Sequence, residues 1–388
     1  MNQPILTKRQ AEVLNYIAKY TAHNKYAPTL AEIAKKFNLA SVSTAHFHVT
    51  KLHEAGYLAK LGHKSRALKI YNAELSAMSR QPSGLPDNAK KPTHYNKLPI
   101  NKIILGDTTI LLKKIPSESC DIIIIDPPYN IGKNFGNNLD KRELKDYIEW
   151  SKIWLYESVR ILKPTGTMFV YGYSEILAYL SIEIPLPKRW LIWHYTNKNV
   201  ASLNFWQRSY ESIICAWKDK PVFNRDAVRE PYTDGFLSGA AGKVRRGTVG
   251  RFSKNAKETV YNAHTLGALP RDVIKIAALA GGAGMTERWF MCKDCNDVFA
   301  PMQLKHHRTH MTEKHPTQKP LQLSRKLIRS AMPPNRSVVL VPFAGTGSEC
   351  AAAKELGQDY IGIELNPDYV RLAEKFIASV QPPLDHAL

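Results

Sequence analysis

The stretch Asp121-Ile-Ile-Ile-Ile125 is followed directly by Asp126-Pro127-Pro128-Tyr129. Four consecutive isoleucines without polar alternation are typical of a strand that is buried on both faces of a parallel sheet. In α/β sheets, ligands bind beyond the carboxyl ends of such strands. The pattern therefore places the carboxylate of Asp126 and the ring of Tyr129 at a sheet edge where a ligand site is expected.

Further apolar runs of strand length recur along the chain, with helical periodicity between several of them. This alternation predicts an α/β doubly wound sheet within residues 96–383. We expect its strands at Lys102–Leu105, Asp121–Ile125, Thr167–Val170, Trp190–Trp193, Ser212–Cys215, Ser337–Val341 and Tyr360–Ile363.

The composition of the 388-residue chain is globular, with 44% hydrophobic and 23% charged residues, which excludes a wholly disordered or collagen-like chain. No apolar run approaches the roughly 18 residues of a membrane span. The start Met1–Pro4 lacks the pattern of a signal peptide, and five cysteines are too few for a disulfide scaffold. We therefore expect a cytoplasmic protein. Its 54 Lys and Arg against 34 Asp and Glu give a net charge of +20, which favours a polyanionic partner, most simply nucleic acid.

Residues 1–75 form a separate basic module, with 11 Lys and Arg against 4 Asp and Glu. Apolar residues at helical spacing predict three helices, the third running from about Ser41 to His53. The stretch Tyr57–Ile70 alternates like a small hairpin. This order is that of a winged helix-turn-helix domain. Residues 76–95 contain three prolines and no periodicity, and so predict a linker.

Three segments of this module, Leu6–Leu14, Pro28–Ala34 and His53–Leu58, resemble the DNA-binding domain of the LexA repressors. The resemblance implies that the start of the third helix faces the major groove. The alternative is a winged helix that makes only protein contacts. The residues implied to face the bases are Ser41, Ser43, Thr44 and His46.

The motif Asp126–Tyr129 suits methyl transfer to an exocyclic amine of a nucleic-acid base. Such an amine is a weak nucleophile, because its lone pair is delocalised into the ring. The Asp126 carboxylate and the Pro127 carbonyl can accept both N–H bonds and localise the lone pair, while Pro127 and Pro128 restrict the direction of that carbonyl. Tyr129 offers an aromatic face to a base turned out of a duplex. Taken alone, the motif is also compatible with an ordinary turn.

A second motif, Pro342-Phe-Ala-Gly-Thr-Gly-Ser348, follows another strand. Small residues at a strand-to-helix turn let the backbone approach a ligand closely. Glu364 ends the next strand, where an acidic side chain can hold ribose hydroxyls. Asp107 ends a third strand, where it can contact an adenine ring. Each of these, taken singly, is also compatible with a tight turn.

Together, Asp126–Tyr129, Phe343–Ser348 and His315–Pro320 resemble the β class of amino-group DNA methyltransferases, which use S-adenosylmethionine. The resemblance covers about residues 97–380 and implies a Rossmann-like S-adenosylmethionine-dependent methyltransferase fold. Val341 departs from it, because the family usually has an acidic residue at that position. The resemblance implies a target-base pocket of Asp126, Pro127, Pro128 and Tyr129, and cofactor contacts from Asp107, Phe343, Ala344, Gly345, Thr346, Gly347, Glu364 and Lys319.

Residues 220–263 interrupt the strand pattern with 9 Lys and Arg against 4 Asp and Glu, and with no clear period. A structureless loop of this length is often functional. The resemblance places a target-recognition region here, and we expect Lys243, Arg245 and Arg246 to contact DNA. A surface loop without a function is the alternative.

Cys292 and Cys295 are separated by two residues, and His306 and His310 follow with a spacing of three. Two cysteines at a turn and two histidines one helical turn apart can hold zinc in a tetrahedron. We expect a small zinc finger at residues 288–314, although its gap of ten residues is shorter than the usual gap of about twelve. His307 can replace His306. The alternative is a pair of free cysteines in a basic loop.

The favoured interpretation is a site-specific methyltransferase that acts on adenine N6 in double-stranded DNA, as part of a restriction-modification system. The alternatives are cytosine N4 as the target, and a transcription regulator with an inactive methyltransferase fold. A protein-glutamine methyltransferase fits the motif order and the charge less well. The sequence leaves open a homodimer and a companion restriction endonuclease.

Overall fold

The computed structural model describes residues 8–24, 27–38, 42–54, 58–60, 68–70, 95, 97–132, 140–195, 197, 203–246, 258–280 and 284–382. The chain divides into two compact units, residues 1–90 and residues 91–388. Residues 76–94 of the predicted linker lie outside the described residues. No helix in the described part of the chain is long and apolar enough to cross a membrane.

The described residues of the first unit form three helices and a short antiparallel strand pair. The helices are α1 (Lys8–Asn24), α2 (Leu30–Lys36) and α3 (Val42–Glu54), and the strands are β1 (Leu58–Lys60) and β2 (Leu68–Ile70). Thr29 and Glu32 form a capping box that satisfies the first backbone N–H groups of α2. Buried Val13, Ile17, Ile33 and Leu52 form the core between the helices. The predicted winged helix-turn-helix is confirmed, with α3 displaced by one residue.

The strands of the second unit alternate with helices as the apolar runs predict. Its strands are β3 (Lys102–Leu105), β4 (Cys120–Ile125), β5 (Leu162–Gly172), β6 (Lys188–His194), β7 (Tyr210–Trp217), β8 (Val244–Arg246), β9 (Glu258–Val260), β10 (Val273–Lys275), β11 (Phe290–Cys292), β12 (Val298–Phe299), β13 (Thr312–Lys314), β14 (Val338–Val341) and β15 (Asp359–Glu364). Its helices are α4 (Thr108–Leu111), α5 (Leu144–Ile161), α6 (Ser174–Glu183), α7 (Asp234–Gly239), α8 (Gly284–Glu287), α9 (Leu321–Ala331), α10 (Ser348–Glu355) and α11 (Pro367–Ser379).

Among the described residues, eight strands form one mixed sheet in the order β10-β6-β7-β5-β4-β14-β15-β3. All six residues of β4 are buried, because hydrophobic clusters cover both faces of the sheet. The pairs from β5 through β4, β14 and β15 to β3 are parallel. β7 runs antiparallel to β5 and β6, which its apolar sequence alone does not indicate. The predicted α/β sheet with both faces covered is confirmed.

Four neighbouring strands of this sheet carry the sequence motifs at one edge. Val341 of β14 pairs with Gly362 of β15, and Glu364 of β15 pairs with Leu105 of β3. Leu340 of β14 also pairs with Ile123 of β4. Because these strands are parallel, their carboxyl ends bring the four motifs side by side.

The basic insertion is more regular than its sequence indicates. Its described residues contain a 3₁₀ helix at Arg225–Val228, α7, and the antiparallel pair β8 and β9. The expectation of a structureless loop is therefore wrong for this part, and residues 247–257 lie outside the described residues. Short strands without alternating burial, such as the fully exposed β8, leave no hydrophobic period to recognise.

Candidate active site

A single pocket at the carboxyl edge of the sheet collects nearly all the predicted catalytic and cofactor residues. Gly347 is the exception: it precedes α10 at a φ of 77°, and an added Cβ would lie 2.9 Å from Ala373 of α11. The predicted residues that line the pocket are Asp107, Asp126, Pro127, Pro128, Tyr129, Lys319, Phe343, Ala344, Gly345, Thr346 and Glu364.

Asp126 lies at the centre of a buried polar network. Its Oδ2 lies 2.7 Å from Lys319 Nζ, and its Oδ1 accepts a 2.7 Å hydrogen bond from the Tyr129 hydroxyl. Glu211 of β7 joins this network, with its Oε2 at 3.2 Å from the Tyr129 hydroxyl and 3.6 Å from Lys319 Nζ. One ammonium group thus stands between two carboxylates, and the side chain of Lys319 is only 3% exposed.

The protonation states of the network follow from burial and pairing. Burial raises the pKa of the Asp126 carboxyl, and Lys319 partly offsets this effect. Burial alone would lower the pKa of Lys319, but the carboxylates of Asp126 and Glu211 raise it above its ordinary value. Burial, reinforced by Asp126, raises the pKa of Tyr129 well above its ordinary value. Tyr129 therefore stays protonated and donates to Asp126.

A further buried acid, Glu349 in the first turn of α10, also lines the pocket. Burial raises its pKa to about 7, and the charge of Asp126 adds to the shift. Ser324 donates a 3.3 Å hydrogen bond to its Oε1. Neither Glu211 nor Glu349 was predicted from the sequence as a site residue. A lone acid inside the apolar run Tyr210–Trp217 was the available signal for Glu211.

Side chains outside the Asp-Pro-Pro-Tyr motif form hydrogen bonds to the backbone in and beside it. The Tyr147 hydroxyl donates a 2.7 Å hydrogen bond to the Pro128 carbonyl. The Asp140 carboxylate accepts from the backbone N–H groups of Asn130 and Ile131, at 2.5 and 3.3 Å. Among the described residues, no donor occupies the neighbouring Pro127 carbonyl. That acceptor is available to a ligand in the pocket.

The other end of the pocket is a turn built for a close approach. Glu364 accepts 2.8 Å hydrogen bonds from the backbone N–H groups of Gly345 and Asn366. Gly345 has a φ of 51°, and an added Cβ would lie 3.1 Å from the imidazole of His315. The left-handed conformation favours glycine at this position, and a Cβ there would crowd the His315 ring.

Asp107 and Phe343 complete the walls of this end. Asp107 caps α4, accepting a 2.7 Å hydrogen bond from the backbone N–H of Thr109. The ring of Phe343 packs against Trp150 and Trp154, with centroids 5.8 and 5.6 Å away. The pocket thus combines an acidic, hydrogen-bonding strip with an aromatic wall.

A second candidate site lies in the predicted zinc-finger region. Cys292, Cys295, His307 and His310 place one ligand atom each within 4.8 Å of one another. His306 is not part of this cluster, and its alternative His307 takes that position. In place of the expected α-helical turn, a 3₁₀ helix at Pro301–His307 ends at the first of the two histidines, and β11 pairs with β12 and β13. A further turn follows, in which the His310 N–H donates a 3.0 Å hydrogen bond to the His307 carbonyl.

The structure describes part of the predicted set of DNA-contacting residues. Ser41 lies outside the described residues, as does the side chain of Ser43. On α3, Thr44 is half-buried and His46 is exposed. Lys243, Arg245 and Arg246 are exposed on and beside β8, where Arg246 pairs with Glu258 at 2.9 Å.

Comparison with known proteins assigns both units. Residues 120–375 match the N6/N4 methyltransferase model, described as DNA methylase, and residues 3–67 match the LexA DNA binding domain. The chain is 29% identical to the DNA adenine methyltransferase YhdJ of Escherichia coli K12, over 73% of this chain and 84% of that protein. It is 26% identical to the type II methyltransferase M.HpaI of Haemophilus parainfluenzae, over 72% and 74% of the two chains.

Among solved structures, the PvuII DNA methyltransferase, described as cytosine-N4-specific, is 16% identical with a TM-score of 0.47, over 73% of this chain and 86% of that one. The matched region 120–375 makes up well over half of the chain and contains Asp126, Lys319, the Gly345 turn and Glu364. The chain belongs to the DNA methylase family.

Proposed function

We propose that the protein transfers the methyl group of S-adenosylmethionine to N6 of adenine in double-stranded DNA at a specific sequence. The observation that carries this proposal is the position of Asp126 and the free Pro127 carbonyl in one pocket with Gly345 and Glu364. An amine-binding strip and a cofactor-binding turn on adjacent strands bring the two reactants together.

The target amine would lie between the Asp126 carboxylate and the Pro127 carbonyl, each accepting one N–H. This arrangement directs the nitrogen lone pair away from the ring and toward the methyl group. Tyr129 supports it because its hydroxyl holds the Asp126 carboxylate at 2.7 Å. As the N–C bond forms and the S–C bond breaks, the amine nitrogen becomes positive, and nearby carboxylates stabilise that charge. The proton that the amine then loses would pass to the Asp126 carboxylate that accepts its hydrogen bond, and the electron pair of the broken S–C bond would stay on sulfur.

Lys319 must yield its place at Asp126 when the amine arrives, because Asp126 Oδ2 is engaged by the ammonium. Glu211 Oε2, 3.6 Å from Lys319 Nζ, offers a second carboxylate without exposing the charge to water. The ammonium can therefore move between two acids while the pocket stays electrostatically balanced. In this proposal Lys319 and Glu211 are positioning residues for Asp126.

The residues at the other end fit S-adenosylmethionine. Its sulfonium supplies an activated methyl group when bound. The carboxylate of Glu364 is placed to hold ribose hydroxyls, Asp107 to accept from the adenine amine, and Phe343 to pack on the adenine ring. The glycine turn lets the backbone approach the cofactor closely, because Gly345 carries no side chain between the backbone and the pocket.

Adenine is proposed over cytosine because the Asp-Pro-Pro-Tyr motif favours it and YhdJ is named an adenine methyltransferase. M.HpaI, M.BglII and M.HinfI are named type II methyltransferases, which supports a restriction-modification setting with a companion endonuclease. A search for a nuclease coded beside this chain tests that partner, and sedimentation of the purified protein tests the homodimer.

We also propose that Cys292, Cys295, His307 and His310 hold one structural zinc ion. Cys292 Sγ lies 3.3 Å from His310 Nδ1, and Cys295 Sγ lies 3.5 Å from His307 Nδ1. Zinc bonds of about 2.3 Å to sulfur and about 2.1 Å to nitrogen give tetrahedral edges of roughly 3.6 Å. These two separations are close to such an edge, and all four ligand atoms lie within 4.8 Å of one another.

The identity of the product tests the methyl-transfer proposal. Unmethylated DNA is incubated with the purified full chain and S-adenosylmethionine, digested, and analysed as nucleosides by mass spectrometry. We expect N6-methyladenine, and sequencing of the same DNA should place it in one recognition sequence. N4-methylcytosine as the product, or no methylated base, would contradict the proposal.

A further inference from the structure

The segment that joins β6 to β7 presents large apolar side chains to solvent. Leu203 and Trp206, 93% and 87% exposed, are the two most exposed large hydrophobic residues in the described part of the chain, and Phe205 is 79% exposed. Folding normally covers side chains of this size, because each buries a large apolar area. Adjacent aromatic rings left in water therefore mark an interaction surface.

This segment lies at the active-site edge of the sheet. β6 ends at His194 and β7 begins at Tyr210, and Gly172 at the end of β5 pairs with Ser212 near the start of β7. Since β5 is parallel to β4, the β6–β7 connection lies at the same edge as Asp126. Two hydrogen bonds anchor its ends, including one of 2.9 Å from the Tyr195 N–H to the Ser209 carbonyl.

A chain of contacts ties the aromatic pair to the target-base pocket. The guanidinium of Arg208 lies 4.1 Å from the ring centroid of Tyr173 and pairs with Glu175 at 2.5 Å. Tyr173 packs edge-on against Tyr129, with centroids 5.2 Å apart. Phe205 and Trp206 are thus two and three residues from a side chain that stacks beside the pocket. Contacts thus hold Arg208 and Tyr173 beside the pocket, while the rings of Phe205 and Trp206 are exposed to solvent.

We propose that Phe205 and Trp206 form a wedge that enters the base stack of duplex DNA next to the target base. This inference rests on the proposed transfer to a base in double-stranded DNA, which requires that base to leave the stack. Apolar and aromatic side chains inserted at a base step compensate for the lost stacking. The exposed amides of Asn204 and Gln207 flank the pair, where they can bind the edge of the unpaired partner base.

We infer that this surface binds DNA for two reasons, its position beside the target-base pocket and the positive charge of the chain. It borders a pocket that receives a base, and the chain carries a net charge of +20 that draws the duplex to the protein. A surface for a second copy of the protein would need no such position beside Tyr129. Sedimentation of the Trp206→Ala variant distinguishes such a protein contact from DNA binding.

The test compares Phe205→Ala and Trp206→Ala with Ile182→Ala in the full chain. Ile182 is also exposed, at 79%, but it lies near the end of α6, shortly before β6 begins at Lys188, at the opposite edge of the sheet. Two duplexes carry the mapped recognition sequence, one with an intact target pair and one with an abasic site opposite the target. Single-turnover methylation is measured on both, and cofactor binding is measured by calorimetry.

We expect the two wedge variants to methylate the intact duplex at least about tenfold more slowly than wild type. Without the aromatic ring, no contact compensates for the stacking energy that the target base loses when it leaves the duplex. On the abasic duplex the loss should shrink to less than about threefold, and Trp206→Phe should restore most of the rate. Ile182→Ala should behave as wild type on both. Equal losses on both duplexes, or none, would overturn the wedge.

A readout that needs no methyl transfer separates this inference from the proposed function. A fluorescent base analogue at the target position brightens when it leaves the stack. With wild type we expect brightening on binding, and with Trp206→Ala much less. If wild type brightens the analogue but transfers no methyl group, the proposed function fails and the wedge stands. Wild-type brightening in the variant, or a change in its sedimentation alone, would overturn the wedge and favour a protein contact.

Discussion

Lys319 Nζ lies 2.7 Å from Asp126 Oδ2, so an ammonium group engages the carboxylate that is proposed to bind the target amine. The pair is buried, and Glu211 is the second acid within reach of Lys319. A buried carboxylate without a partner would take up a proton and lose its value as an acceptor. The ion pair therefore keeps Asp126 charged until the base arrives.

Replacing Lys319 with Met should slow methyl transfer at neutral pH by about tenfold or more. Loss of the positive charge raises the pKa of Asp126, so a larger fraction is protonated and the acid limb of the kcat profile moves to higher pH. Lys319→Arg keeps the charge and is the control, with its acid limb close to that of wild type. A Lys319→Met profile that coincides with the wild-type profile would show that Lys319 does not act through Asp126.

Metal analysis of protein purified without chelator should find about one zinc per chain, from one four-ligand set. His307→Ala should abolish zinc binding, whereas His306→Ala, its immediate neighbour, should retain it. This pair separates the ligand set of the structure from the one indicated by the sequence spacing. Zinc in His307→Ala, or none in wild type, would reject the site.

Removal of zinc should also weaken S-adenosylmethionine binding. Met291 and Val298 of the three-stranded module pack against Tyr369 of α11, and Tyr369 lines the cofactor pocket 4.6 Å from the His315 ring. Loss of the ion should lower the unfolding free energy by about 3 kcal/mol at a hundredfold excess of zinc over its Kd. Thermal melting and calorimetry with and without chelator measure the two effects, with His306→Ala as the control.

Glu349→Gln should stabilise the protein in neutral and alkaline buffer. Between pH 4.5 and about 7 the unfolded state ionises Glu349 while the folded state keeps it protonated, so the wild-type free energy of unfolding falls as pH rises. The variant lacks this loss, which amounts to at most about 3 kcal/mol at 1.36 kcal/mol per pH unit. Urea unfolding at pH 5 and pH 8 measures it. Exposed Glu374→Gln on α11 is the control for loss of a charge, and an equal gain at both pH values would contradict the burial of Glu349 as a proton-binding group.

Deleting residues 1–80 should weaken DNA binding and flatten its salt dependence, because the phosphate contacts of a module with a net charge of +7 are lost. The methylated sequence should stay the same, since we expect residues 220–263 to choose the bases. Sequencing of DNA methylated by the truncated protein checks this. A changed recognition sequence would assign target choice to the winged helix.

The sequence pattern predicted those parts of the fold that depend on neighbouring residues. Four consecutive isoleucines are typical of a strand that is covered on both faces, and β4 is such a strand. Parallel packing then determines where Asp126 and Glu364 lie. The ion pair between Asp126 and Lys319 could not be predicted from local sequence pattern. The two residues are 193 positions apart, and tertiary packing determines that they meet. The sequence spacing favoured His306 and kept His307 as the alternative, because it assumed an α-helical turn where the chain forms a 3₁₀ helix that ends at His307.

The most direct test of the catalytic centre is transfer of labelled methyl groups from S-adenosylmethionine to DNA by wild type and by Asp126→Ala, with calorimetric cofactor binding measured on the same samples. We expect the variant to lose at least about a hundredfold in transfer, because the amine loses its carboxylate acceptor, while its cofactor Kd stays within about threefold of wild type. Full transfer by Asp126→Ala would contradict the assignment of this pocket as the site of methylation.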